Sequence, residues 1–557
     1  MRSAIIHISQ QMVAFIRRYT HGVDWRLLLL LVLVLNVKLF VKVLAIALFT
    51  WMYRGSLFQK NNNRPIYTWF YVCMIVITLV NCLLNIPSLS LNYFFVALAG
   101  AGIWVLCGLV ALLLIQFVQK NTIETLHATV SLFFIINALI GIGQLLFISL
   151  DTEHLNPYTY QGLQQKYFIS TGDFITGISF DVATTNALIN AMAIIYFLVR
   201  NRMASVLLCM AALLLSVSNF TNIVLLILFI YLFTFRSTRN QKSIIVVCLF
   251  MLVIFMVKIS PQNNRYVKEV YARITGTKKA ATEAPKQETP LKDRPDSLLS
   301  GEEKKQKKAL FYLDSMALAS LISGDNALYS PLTNQGIAHT RMRSKPSLPR
   351  EDIHSAPFQC LKDTTPVQKT LLAFASFSMT SFDTVLSHTK SRTLPGKLMA
   401  YKQTFSFLAQ RPRYLLTGTG TGNFSSKLAF RATGLQIAGG YPKRFVYISN
   451  HFLDNHLGLY LDYFSKDAEL HSLTNSPDSV YDQLLSEYGL LGLLAFFFFY
   501  VRYFLKGATR NAATIPIIGI MAAAFCMGYW YEQLSIVIIF ELLLLINKKE
   551  TANLSST

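Results

Sequence analysis

The sequence predicts an all-α polytopic membrane protein with about 12 transmembrane helices and one large extracytoplasmic insert that is mostly helical or irregular. Hydrophobic residues make up 53% of the chain and charged residues only 14%, whereas soluble domains carry about 25% charged residues. The apolar residues are gathered into runs close to the roughly 20 residues that a helix needs to cross a bilayer. The net charge of +22 does not predict a nucleic-acid partner, because many of the cations flank these runs, as they do in membrane proteins.

Separate apolar runs predict the individual membrane-spanning helices. They lie near 66–85, 92–118, 125–149, 179–199, 204–219, 222–236, 242–258, 486–504, 512–530 and 533–547. An earlier stretch, 27–53, is interrupted by Asn36, Lys38 and Lys42, which favours a short or bent hairpin, or two spans. It follows basic residues but lacks a small-residue cleavage pattern, so a retained anchor is expected rather than a signal peptide.

The short loops predict which side of the protein faces the cytoplasm, because cytoplasmic loops carry an excess of Lys and Arg. The cation-rich loops lie near 54–64, 200–202, 236–242, 502–510 and 548–549. The loops at 86–91 and 150–178 are poor in cations by comparison. All the cation-rich loops fall on one side only if 27–53 returns to the side where it began, and this parity places 259–485 outside the cytoplasm.

The parity divides the chain into three regions. Residues 1–258 form the N-terminal transmembrane helices, 259–485 the large periplasmic domain, and 486–557 the C-terminal transmembrane helices with a cytoplasmic tail. Within the domain, residues 274–308 are rich in Lys, Glu, Pro, Thr and Ala, a composition that predicts a disordered linker. Order is expected to return around 365–388 and again from 394, in an amphipathic helix that has Pro395 in its first turn.

A glycine-rich segment at 418–422 and the cations around it form the first candidate site. The segment lacks the Gly-Lys-Ser/Thr of a P-loop, so it is typical either of a flexible turn or of backbone amides that approach a phosphate or sugar. The neighbouring cations are Arg392, Lys397, Arg411, Arg413, Lys427, Arg431, Lys443 and Arg444. Two interpretations remain open: contact with anionic headgroups of membrane lipids, or binding of the diphosphate of a lipid-linked substrate.

Three acids, Asp478, Asp482 and Glu487, lie on a predicted helix that enters the membrane from outside. Asp478 and Asp482 are four residues apart, so they share a helix face. Such acids are typical of a helix N-terminus, where the helix dipole favours them. Alternatively, a carboxylate at the lipid–water boundary has a raised pKa that suits a general base. The histidines between 451 and 471 lack the spacing of metal ligands, so no metal is predicted.

The acidic segment and the glycines that follow it match a known motif. Ser479 is followed after nine residues by Gly489, and Gly492 stands three positions further on. This spacing resembles the ligase signature of the O-antigen ligase and polymerase superfamily of bacterial membrane glycosyltransferases. That signature has a His, then Asn, Ser or Gln, nine residues, Gly, two residues, and Gly, Thr or Tyr. Asp478 stands here at the position of the His.

Two further segments resemble the same superfamily. Residues 396–401 and the turn at 420–424 look like its Gly-Arg…Trp helix followed by a glycine-rich turn, with Lys397 where Arg is usual. Residues 216–219, Ser-Val-Ser-Asn, are similar to a Ser-Arg span of the family, with the Arg missing. These departures concern the His and Arg chemistry of the family, and they leave the predicted topology unchanged.

The resemblance implies transfer of a glycan from a polyprenyl-diphosphate carrier to a hydroxyl of a lipid or glycan acceptor, with no cofactor. The site would lie at the outer face of the bacterial inner (cytoplasmic) membrane. Asp478 is the predicted base and His471 the alternative, while Lys397 would stabilise the leaving diphosphate. The residues predicted to bind the substrate are Arg392, Lys427, Arg431, Gly420 and Gly422.

Other functions are compatible with this topology. A polymerase of the same superfamily would use the end of another lipid-linked repeat unit as its acceptor. A lipid-linked glycan transporter (flippase) would be expected to carry polar residues inside its spans. The clearest intramembrane charges in this sequence are Lys38 and Lys42. A non-catalytic assembly factor would bind glycan but would tolerate the loss of Asp478.

Overall fold

The computed structural model describes residues 22–36, 38–57, 64–84, 90–152, 155–159, 171–259, 394–434, 440–463 and 473–556. These ranges are built from helices and connecting segments and contain no strand. The helices before the insert are α1 (Trp25–Leu35), α2 (Leu39–Leu57), α3 (Thr68–Leu84), α4 (Leu91–Lys120), α5 (Ile123–Thr152), α6 (Ala183–Val199), α7 (Met203–Leu215), α8 (Asn219–Phe235) and α9 (Arg239–Ile254). A π-helical segment, Phe255–Ile259, continues α9.

The second half of the described chain contains shorter helices and then a second group of apolar ones. They are α10 (Gly396–Gln410), α11 (Lys427–Ala432), α12 (Asn450–Asp454), α13 (Leu457–Tyr463), α14 (Val480–Ala495), α15 (Arg502–Leu505), α16 (Thr514–Phe525), α17 (Trp530–Gln533) and α18 (Val537–Ser556). A π-helical segment, Phe496–Val501, joins α14 to α15. The 3-10 turns are Pro157–Thr159, Thr171–Phe174, Gly177–Ser179, Pro412–Tyr414, Lys443–Phe445 and Ala508–Arg510.

Several of these helices are long and apolar enough to cross a membrane. They are Leu39–Leu57, Leu91–Lys120, Ile123–Thr152, Arg239–Ile259 and Val480–Arg510. Shorter apolar helices accompany them, among them α7, whose 13 residues span about 20 Å, less than the roughly 30 Å of a hydrocarbon core. The described part of the chain is therefore all-helical and has the long apolar helices of a membrane protein, and the count of about 12 spans stays a prediction.

The stretch 27–53, for which the sequence favours a hairpin, is folded as the two helices α1 and α2. Asp24 caps α1 by accepting backbone N–H groups of its first turn. Its other carboxylate oxygen accepts a hydrogen bond from the Asn121 side chain at 2.7 Å. At the far end of α2, the Ser56 carbonyl accepts one from Gln116 at 3.2 Å. Both ends of the hairpin therefore contact the last turns of α4, so the chain returns to the end of the bundle where it began.

Contacts between connecting segments define two ends of the helical bundle. At one end, the Glu550 carboxylate accepts hydrogen bonds from Arg200 at 2.8 Å and from Asn511 at 2.7 Å. The segments that meet there are the cation-rich loops of the sequence. At the other end, the Asn92 side chain donates to the Val446 carbonyl at 2.8 Å. The described part of the insert therefore lies at the end opposite the cation-rich loops.

Much of the predicted insert 259–485 lies outside the described residues, including the predicted linker at 274–308 and the ordered stretch expected around 365–388. The amphipathic helix expected near Pro395 is α10, with Pro395 immediately before its first residue. The span predicted near 486–504 belongs to α14, which begins at Val480, so the prediction that Asp478 lies on this helix is wrong: Asp478 stands just before it. The reason is local, because the Ser479 hydroxyl accepts a backbone N–H of the first turn and so starts the helix there.

Candidate functional site

The glycine-rich segment is folded around a carboxylate of the chain itself. Glu487 on α14 is fully buried, and its Oε2 accepts the backbone N–H of Gly422 at 2.9 Å. Its Oε1 accepts the backbone N–H groups of Phe424, Ser425 and Ser426 at 3.0 to 3.1 Å. Successive backbone N–H groups that converge in this way form an anion-binding nest. The nest holds Glu487 and fastens the segment to the membrane-entering helix.

The backbones of the glycine-rich segment and of α14 cross at close range. A Cβ atom on Gly418 would lie 2.3 Å from the Glu487 carbonyl carbon, and one on Gly489 would lie 2.4 Å from the Leu416 oxygen. The Gly420 N–H donates to the Glu487 carbonyl at 3.0 Å. The amides of Gly420 and Gly422 are thus engaged within the fold, and substrate binding by these two glycines stays a prediction.

Asp478 lies just before α14 and is partly exposed, in contrast to the other two acids of this segment. Burial raises the pKa of Asp478, while the charges of Lys427 and Lys397 act to lower it. Asp478 is thus the one acid of this segment that is not fully buried, and it lies beside two cations. Asp482 and Glu487 are both fully buried, so neither can meet a substrate.

Lys397 is brought to Asp478 by the start of α10. Its ammonium group donates to the Asp478 carbonyl oxygen at 2.5 Å, and its backbone N–H donates to the Thr474 carbonyl at 2.9 Å. The Gly396 N–H donates to the Asn475 side chain at 3.1 Å. A Cβ on Gly396 would lie 2.3 Å from the Asn475 oxygen, so the close approach requires glycine there. Burial lowers the pKa of Lys397 to about 8, and the charge of Asp478 opposes that shift.

Lys427 and Arg431 lie one turn apart on α11, which follows the amide nest directly. The Ser426 hydroxyl caps this helix, and the Leu428 N–H donates to Glu532 at 3.0 Å, so the helix is fixed at its first turn. The pKa of Lys427 is lowered by burial and by the charge of Arg431, while Asp478 acts to raise it. Four predicted site residues therefore lie in one region: Asp478, Lys397, Lys427 and Arg431.

Two of the predicted residues, Arg392 and His471, lie outside the described residues. Their predicted roles stay predictions. The cations Arg411 and Arg413 belong to a different cluster. Arg411 hydrogen-bonds with His451 at 3.1 Å, and Arg413 donates to the Tyr414 hydroxyl at 2.8 Å.

The structure pairs side chains that the sequence reasoning did not join. His456 Nε2 lies 2.9 Å from Asp482 Oδ2, and both side chains are fully buried. Four residues later, Tyr460 lies near Asp478, and its hydroxyl hydrogen-bonds with the Ser425 carbonyl at 3.2 Å and with the Tyr529 hydroxyl at 2.6 Å. The sequence has a matching spacing, because His456 and Tyr460 are four residues apart, as are the two acids. His456 and Asp478 both lie outside the helices, so this spacing alone does not predict the contact: the fold buries Asp482 against His456 and leaves Asp478 partly exposed.

A carboxylate next to cations has a defined chemical capacity. The carboxylate can take a proton from a hydroxyl, while the cations bind and stabilise a phosphate group that leaves. Comparison of the chain with protein-family models, with curated proteins and with solved structures finds no match. The chemistry of the site is accordingly argued from its own residues.

Proposed function

We propose that the protein is a membrane glycosyltransferase of the O-antigen ligase type. It would move a glycan from a polyprenyl-diphosphate carrier to an acceptor hydroxyl at the outer face of the bacterial inner membrane. The observation that carries this proposal is the position of Asp478, partly exposed and flanked by Lys397 and Lys427 immediately before a membrane-entering helix. This is the depth at which the diphosphate of a lipid-linked glycan and its sugar lie.

The proposed reaction has one nucleophile and one leaving group. The acceptor oxygen forms a bond to the anomeric carbon of the glycan, and the bond from that carbon to the diphosphate oxygen breaks. Asp478 takes the proton of the acceptor hydroxyl, and the diphosphate leaves with the electron pair of the broken bond. Lys397, Lys427 and Arg431 stabilise the charge that develops on the diphosphate.

The proposed orientation follows from the two ends of the bundle. The cation-rich segments meet at one end, around Glu550, and such segments face the cytoplasm. The candidate site lies at the other end and would then face the periplasm. The hairpin of α1 and α2 would count as two crossings, which brings the predicted total to about 12.

One observation favours a transporter as the second candidate. Glu541 lies on α18 and is buried among aromatic side chains, where it accepts a hydrogen bond from the Tyr71 hydroxyl. An ionisable residue within a membrane span often marks a transport pathway. A lipid-linked glycan flippase would use such a residue, whereas the glycosyltransferase reaction does not need it.

Profiling the surface polysaccharide of a deletion strain of the source organism tests the proposed function. A ligase should leave full-length glycan on its lipid carrier, and a polymerase should leave single repeat units. In both cases the glycan should be accessible from the periplasm, and wild-type protein should restore the profile. Lipid-linked glycan that stays on the cytoplasmic face would instead identify a transporter. An unchanged profile with intact glycan synthesis would refute all three functions.

Turnover by the purified protein is expected to fall as the pH rises through about 8. Lys397 is protonated below the pKa of about 8 that burial gives it, so its positive charge, and with it stabilisation of the diphosphate, is lost above that pH. Arginine keeps its charge throughout this range, so Lys397→Arg should remove the decline between neutral and alkaline pH. Lys402→Arg, on the exposed face of α10, should keep the wild-type profile. An unchanged decline in Lys397→Arg would rule out this role of Lys397.

A further inference from the structure

A large pocket opens at the cation-rich end of the bundle, opposite the end that carries the candidate site. Its volume is about 1460 Å³, and it lies between the segment 497–510 and the C-terminal part of α18. Four of its lining residues are cations: Arg502, Lys506, Arg510 and Lys548. Three of them come from the segment 497–510 and the fourth from α18, so the fold brings the C-terminal lysine to the other three.

The charges of this pocket are not balanced by the residues that line it. Within the part of the chain that the structure describes, no Asp or Glu lines the pocket. The nearest acid along α18, Glu550, is already bound by Arg200 at 2.8 Å, by His127 and by Asn511. Two of the cations lie close together, because the Lys548 ammonium group donates to the Lys506 backbone carbonyl at 3.2 Å. Like charges held together repel each other, and an anion bound among them relieves that repulsion.

The wall of the pocket continues into an apolar surface that suits lipid chains. Phe497, Phe498 and Leu505 line the pocket and are 47%, 57% and 49% exposed. Leu494, one turn earlier on the same membrane-spanning segment, is 46% exposed. A cationic cavity that opens onto exposed apolar side chains of a span fits a molecule with an anionic headgroup and acyl chains, and basic pockets between spans bind such headgroups.

We propose that this pocket is a binding site for an anionic phospholipid. The headgroup phosphate lies among Arg502, Arg510 and the two lysines, and the acyl chains lie along the phenylalanines of the span. In the proposed orientation the lipid belongs to the cytoplasmic leaflet. The site is separate from glycan transfer, and its existence does not depend on the proposed function.

Native mass spectrometry of the full-length protein in detergent tests this site directly. The protein would be titrated with phosphatidylglycerol, with cardiolipin and with phosphatidylcholine as the zwitterionic reference. Bound anionic lipid is expected on the wild type, and the double substitution Arg502→Gln with Arg510→Gln should weaken it at least about ten-fold, because it removes two of the four charges that face the headgroup. Both arginines are exposed, so the variant should fold.

The matched control is the pair Arg239→Gln and Lys242→Gln, which removes two charges from the same end of the bundle outside the pocket. The control should bind anionic lipid as the wild type does. Equal losses in both double variants would show a general charge effect and would overturn the site. Displacement of the lipid by millimolar inorganic phosphate would show that the pocket takes a free phosphate, which would overturn the assignment to a phospholipid.

Discussion

Replacement of Asp478 by asparagine is expected to lower the rate of glycan transfer by about 10²- to 10⁴-fold, the usual contribution of a general base. Asparagine keeps the size and polarity of the side chain but cannot accept the proton of the acceptor hydroxyl. The measurement is turnover of lipid-linked glycan by the purified protein, at a pH where the wild type is most active. Burial raises the pKa of Asp478, so the base becomes protonated at a higher pH than an ordinary aspartate does. As the pH is lowered, wild-type turnover should therefore begin to decline at a higher pH than an ordinary aspartate would give.

The control for this substitution is Asp454→Asn, at the end of α12. Asp454 is exposed and faces the charge of Arg411 rather than the Asp478 cluster, so its loss should leave the rate within about two-fold of the wild type. Normal binding of lipid-linked glycan by Asp478→Asn would show that the fold and the cations are intact. A variant that keeps wild-type turnover would exclude Asp478 as the base, and His471 would become the candidate to test.

The helical elements of this protein follow from its sequence because they depend on local pattern. Runs of apolar residues long enough to cross a bilayer correspond to α4 and α5, and Pro395 precedes a helix as its fixed φ angle favours. The interruption of 27–53 by polar residues likewise corresponds to the break between α1 and α2. The number of crossings does not follow from local pattern in the same way. It depends on how the short helices are placed in the bilayer, and residue composition does not determine that.

The candidate site follows from the sequence only in part. Asp478, Lys397 and Lys427 are of the residue types that the chemistry needs, and the structure brings them into one region. The partner of the glycine-rich segment could not be predicted, because Gly422 and Glu487 are 65 residues apart in sequence. No local pattern shows that backbone amides will bind an internal carboxylate rather than a phosphate. Tertiary packing decides it.

The second large effect is expected at Gly489, where α14 is interrupted. Its φ of 65° and ψ of −164° lie in a region that is essentially restricted to glycine. In addition, a Cβ atom would lie 2.4 Å from the Leu416 oxygen, and this neighbour is backbone, which cannot turn aside as a side chain can. Gly489→Ala is therefore expected to destabilise the protein by at least about 3 kcal/mol, measured as a fall in the thermal midpoint of the purified protein in detergent.

Gly507→Ala is the matched control, because it introduces backbone strain without disturbing the crossing of the two backbone segments. Gly507 also has a positive φ, 80°, but no atom lies within 4 Å of its Cβ position, so alanine there should cost only about 1–2 kcal/mol. The difference in destabilisation between the two variants then measures how strongly the two backbone segments are held together at the crossing. The crossing also holds the amide nest on α14, and therefore α11 with Lys427. Gly489→Ala should accordingly lose turnover at temperatures where Gly507→Ala is still active, whereas equal stabilities would show that the crossing does not hold the site together.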